Sequence, residues 1–157
     1  MATDLKTETI LSNVKGYLVA ISTSSSYWHT AKTVRRRHLA DSQIATSVTP
    51  IFTVQGGPIT ASDEYGGLGK GRKGQSFQFT VRGYDKIGSI ESEAADTEAQ
   101  RLIKDIGRAV MSNDGLGCQA VGTTTVVNAT PLIIDGQPGF IGAEVTFEVP
   151  LEVLWNE

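Results

Sequence analysis

Cysteine is nearly absent. Cys118 stands alone among 157 residues, so no intrachain disulfide can form, and a reducing compartment is the natural expectation. Long apolar runs are missing too, and none approaches the roughly 20 residues that a bilayer-spanning helix needs. The opening MATDLKTETI lacks the basic-then-apolar layout of a secretory signal. Together these absences predict a soluble protein with no membrane partner, cytoplasmic in the cell that makes it. Positive charge is also short. Lys and Arg number 14 against 17 Asp and Glu, for a net charge of -3 and a pI near 5.4. A dedicated duplex-DNA binder carries the opposite balance, because phosphate contacts dominate its affinity.

The chemistry of a reactive site is equally scarce. Zinc wants three or four His, Cys or carboxylate ligands, and the chain offers two histidines and one cysteine. His29, beside Tyr27 and Trp28, reads as a packing or surface residue. His38 follows Arg35, Arg36 and Arg37, whose charge disfavours an imidazolium. No metal and no cofactor are expected. The segment Gly69-Lys70-Gly71-Arg72-Lys73-Gly74 spells G-x-G-x-x-G, but a phosphate cradle needs a helix to follow, and here a strand does. A Walker-type loop fails on spacing. The hydroxyl cluster Ser22–Ser26 suits caps and turns, and no G-x-S-x-G elbow is present. The chain is therefore read as a non-enzyme.

What the sequence does contain is alternation. Ala143, Val145, Phe147, Val149, Leu151, Val153 and Trp155 share one parity. Glu144, Thr146, Glu148, Pro150 and Glu152 share the other. Only Leu154 breaks the pattern, which predicts one long strand with an apolar and an acidic face. Phe77, Phe79 and Val81 alternate in the same way within a strand over 75–84. Shorter strands are expected at 31–38, 50–55, 119–127 and 132–134, the last two joined around Thr130-Pro131. Between strands, 56–74 reads as a long glycine-rich loop.

Two segments repeat at helical spacing. Ile10, Leu11, Val14, Tyr17, Leu18 and Ile21 predict a helix over about 4–22, with Asp4 as its N-cap. Ala95, Ala99, Leu102, Ile103, Ile106 and Val110 predict a second. Glu91, Glu93, Asp96 and Glu98 lie in its first turns, where the helix dipole favours negative charge. One domain over 1–157 follows. Its class is α+β, a two-layer sandwich with a largely antiparallel sheet and two main helices on one face.

Charge marks the candidate contacts. Arg35, Arg36 and Arg37 end a strand, where they protect a sheet edge or meet a partner. Glu144, Glu148 and Glu152 form an acidic row able to pair with them if the strands meet, in one sheet or across subunits. Lys70, Arg72 and Lys73 make the glycine-rich loop basic. Phe147 and Leu151 mark the apolar face of the final strand as a packing or interface surface.

The order of these pieces resembles the tail terminator (tail-completion) proteins of long-tailed bacteriophages. The pieces are LVAISTSSSY after the first helix, KTVRRR, PIFTVQGG, FQFTVRGYD, the helix AADTEAQRLIKDIGRAVMSNDGLG and the closing AEVTFEVPLEVLW. The resemblance implies a virion protein assembled in the host cytoplasm. It implies a ring, typically of six subunits, that caps the tail tube and joins it to a head-completion or neck protein. DNA would pass through the lumen without specific grip. No catalysis and no cofactor are implied. Arg35, Arg36, Arg37, Lys70, Arg72 and Lys73 then become candidate contacts to neighbouring subunits, the tube or DNA. Two other readings stand beside it: another neck or head-closure component, and a single-stranded nucleic-acid module stacking bases on Tyr27, Trp28 and Phe52.

Overall fold

The final strand and its neighbours build the fold. In the computed structural model, which describes residues 6–61, 72–88, 93–113, 116 and 123–154, five strands form one sheet. They are β1 (Thr33–Arg35), β2 (Ile51–Ala61), β3 (Arg72–Lys86), β4 (Thr125–Ile133) and β5 (Phe140–Leu154), in the order β1-β2-β3-β5-β4. Only β1 and β2 run parallel, and the other three pairings are antiparallel. The helices are α1 (Lys6–Val19), the short α2 (Asp41–Ile44) and α3 (Glu93–Met111). This is the expected α+β architecture, with α1 and α3 on one face.

The alternation of β5 decides which face that is. Ala143, Val145, Phe147, Val149 and Leu151 are all essentially inaccessible to water. They meet Phe77, Phe79 and Val81 of β3, then Phe52 and Val54 of β2, in one core with α1 and α3. Phe79 and Phe147, directly paired in the register, stack at 5.2 Å between ring centroids. Such an aromatic pair adds about 0.5–1.5 kcal/mol beyond its area. Both helices present their predicted stripes: Ile10, Leu11, Val14 and Leu18 from α1, and Ala95, Ala99, Leu102, Ile106 and Val110 from α3. Gly83 lets α3 approach the sheet, since a Cβ there would lie 3.1 Å from both Leu102 and Phe52.

Four boundaries differ from the expected ones. Both ends of the predicted loop 56–74 are strand, because β2 continues to Ala61 and β3 begins at Arg72, and 62–71 lie outside the described residues. A register shift between Gly56 and Ile59 absorbs Gly57 and Pro58, so residues read as terminators sit inside a pair of strands. The end of the strand predicted at 119–127 and the one predicted at 132–134 are joined in one strand, β4, which starts at Thr125 and has Pro131 in it, while 119–122 lie outside the described residues. An edge strand tolerates proline because one side of its backbone has no ladder to feed. The strand expected over 31–38 is reduced to Thr33–Arg35, and α2 was not foreseen. It drops Ile44 onto the opposite face, against Ile51, Tyr84 and Ile134. Asp4, Glu91 and Trp155 lie outside the described residues.

Candidate functional site

Two places concentrate charge. The first is the end of β1. Arg35 and Arg37 are exposed, and among the described residues neither makes an ion pair. Arg36 turns inward, 3.1 Å from both Glu8 and Ser12 of α1. Arg35, Arg36 and Arg37 border a depression shared with His38, Leu39, Ala40 and Gln43. Gln43 holds its wall in place by accepting the Ala40 N–H at 3.0 Å. His38 reaches Thr53 Oγ1 through Nδ1 at 2.7 Å. Burial, then the nearby Arg82 guanidinium, push its pKa down to about 4, against an opposing pull from Glu144.

Among the described residues Glu144 and Glu148 do not meet these arginines within the subunit, because β2 and β3 separate β1 from β5. Instead β5 pairs with β3 residue by residue. Arg82 Nε donates to Glu144 at 2.6 Å, Thr80 faces Thr146, and Gln78 Nε2 donates to Glu148 at 3.3 Å. Phe147 and Leu151 lie in the chain's own core, so their role is packing. Arg72, Lys73 and Glu152 belong to paired strand backbone, with Lys73 opposite Val153 and Gly74 opposite Glu152. Lys70 lies outside the described residues.

The second place was not legible in the sequence. After α1, a 3-10 turn at Thr23–Ser25 begins at Ser22, whose side chain accepts the Ser24 N–H. The chain then runs across α3 as Tyr27-Trp28-His29. Arg108 of α3 stacks on Tyr27 at 4.6 Å and donates to the Ser26 carbonyl at 2.7 Å. Arg101 stacks on Trp28 at 4.6 Å. Asp105 is the anchor: it is buried, and it accepts the Trp28 N–H at 3.1 Å, the His29 N–H at 2.9 Å and His29 Nδ1 at 2.7 Å.

His29 Nε2 points the other way, into hydrogen-bond contact with Glu98 and 3.6 Å from Asp85 Oδ2. Burial draws the imidazole pKa down. The hydrogen bonds to Asp105 and Glu98 and the two charges outweigh it, so the value is raised above the ordinary 6.5. Burial pushes Asp85 up to about 6, aided by Glu98 and opposed by the Lys86 N–H. His29 is thus buried and fixed among three carboxylates. The stacking platform proposed for single-stranded nucleic acid is not there: Phe52 is fully buried, with the His29 ring at its edge, and Tyr27 is under Arg108.

No protein-family model and no curated protein matches the chain. A chain of a solved structure described as the virion of a native gene transfer agent particle does match in shape. Its TM-score is 0.61 at 13% identity, over 96% of this chain and 100% of that one. The likeness runs end to end and is one of fold. No helix among the described residues is long and apolar enough to cross a membrane.

Proposed function

We propose that this chain is a structural subunit of a phage-like virion, and specifically a tail terminator. Its subunits close into a ring of about six, cap the tail tube and present the surface that a neck protein joins. It performs no catalysis. The observation that carries the reading is the end-to-end correspondence of fold with a chain of the gene transfer agent virion. The order of sequence segments found in tail terminators supports it independently. The distribution of surface chemistry agrees. Apolar parities face the internal core, while Arg35 and Arg37 are exposed at the β1 end. A ring needs two different patches that meet head to tail, and this basic end is one of them. An acidic chain also suits a lumen through which DNA slides without grip.

The test uses purified tail tubes of the cognate particle. Added protein is expected to appear as a terminal disc in electron micrographs and to restore joining to filled heads. Arg35→Ser with Arg37→Ser is expected to fold normally and to lose the disc. Tubes that remain uncapped at saturating wild-type protein would overturn the assignment.

A further inference from the structure

The His29 cluster is built in a way that the packing of a loop does not require. Each of its carboxylates has one oxygen braced by the protein and another aimed inward. Asp105 Oδ1 takes the Trp28 N–H, and its Oδ2 takes both the His29 N–H and Nδ1. Asp85 Oδ1 takes the Lys86 N–H at 2.8 Å, leaving Oδ2 facing His29 Nε2 at 3.6 Å. Glu98 Oε2 lies 3.8 Å from Arg101, leaving Oε1 on Nε2. The inward ligand atoms of His29, Asp85 and Glu98 all lie within 4.8 Å of one another.

This arrangement matches what a metal-ligating histidine needs. A carboxylate on Nδ1 fixes the tautomer and the ring, leaving the Nε2 lone pair for an ion. Asp105 occupies that supporting position. The histidine side chain is 5% exposed, whereas those of Asp85 and Glu98 are 21% and 16% exposed, so the pair forms a route in from solvent. Two carboxylates converging on one imidazole leave an excess of negative charge that a proton on Nε2 only partly offsets. A divalent ion offsets the charges of Asp85 and Glu98, while that of Asp105 stays on the Trp28 and His29 N–H donors.

We infer that His29, Asp85 and Glu98 form a divalent transition-metal site of the zinc type, in which Asp105 orients the histidine and the ion clamps the Tyr27–His29 segment and β3 to α3. One nitrogen and two carboxylate oxygens at about 2.0–2.2 Å suit zinc, with a fourth position left for water. The inference is independent of the virion reading.

The experiment uses the full chain, stripped with a chelator, in calorimetric titration with Zn²⁺ and visible spectroscopy with Co²⁺. One ion per chain is expected, with a rise in Tm and a d–d spectrum of a low-coordinate site. Asp85→Asn with Glu98→Gln keeps size and hydrogen bonding and is expected to weaken Zn²⁺ binding at least 100-fold. Asp105→Asn is expected to weaken it about 10–100-fold through the histidine tautomer. Absence of stoichiometric Zn²⁺ binding to the folded wild type would overturn the site. So would binding of equal strength in the Asp85→Asn, Glu98→Gln variant.

Discussion

The two faces of the sheet are made from the same strands and do different work. On the helix side β5 places Val145, Phe147 and Val149 against aromatic and branched side chains, with no polar partner to satisfy. On the other side the intervening residues form a ladder, Gln78 to Glu148, Thr80 to Thr146 and Arg82 to Glu144. Only at one end does that side become apolar, where α2 covers Ile51 and Tyr84. Burial of hydrocarbon scales with area and carries most of the stability. Cross-strand polar pairs contribute tenths of a kilocalorie each and chiefly fix register. The fold is therefore held from one side, and the other side is free to be specified by charge.

The sharpest way to break the contrast is in the core. Phe147→Ala is expected to cost about 3–5 kcal/mol, read by denaturant unfolding, since it removes a stacked ring and leaves a cavity. Phe147→Asp is expected to prevent folding.

The next effect belongs to His38, on the opposite face. Its folded pKa of about 4 lies below the unfolded 6.5. The neutral form is the native one, so its contribution is complete above pH 6.5 and is lost as pH falls toward 4. With solvent screening this amounts to about 1–3 kcal/mol. His38→Gln is expected to flatten that part of the stability–pH curve, and an unchanged slope between pH 6.5 and 4 would remove His38 from the explanation.

Gly83→Val probes the approach of α3. The new side chain meets Leu102, Phe52 and Ile106, and overpacking of this kind costs about 1–3 kcal/mol. The smallest effect sits in the ladder. Glu144→Gln is expected to cost about 0.2–1 kcal/mol, diminishing in high salt, with a double-mutant cycle against Arg82→Gln isolating the pair. A loss as large as that of Phe147→Ala would end the distinction between the faces.

How much of this was legible follows from range. The parity of β5 and the stripes of α1 and α3 are local patterns, and they gave the fold class and most of the core. The continuation of β2 through Gly56-Gly57-Pro58 was hidden because glycine and proline signal turns locally. Pairing with residues 75–79 across the sheet overrides that signal. The unit of α2 and Ile44 carries too short a pattern to detect. Asp105 looked like one more polar residue on α3. Its burial comes from amides 76 and 77 positions away, and no spacing rule reaches that far. The arginine cluster was visible by composition, but only the structure separates the inward Arg36 from the exposed Arg35 and Arg37.

The central claim is that these subunits close on themselves through unlike patches. Light scattering at several protein concentrations and two salt concentrations tests it most directly. The account predicts a closed species of about six times the 16.8 kDa chain mass, weakened by salt if Arg35 and Arg37 sit in the joint. A mass of one chain at every concentration and salt would contradict it.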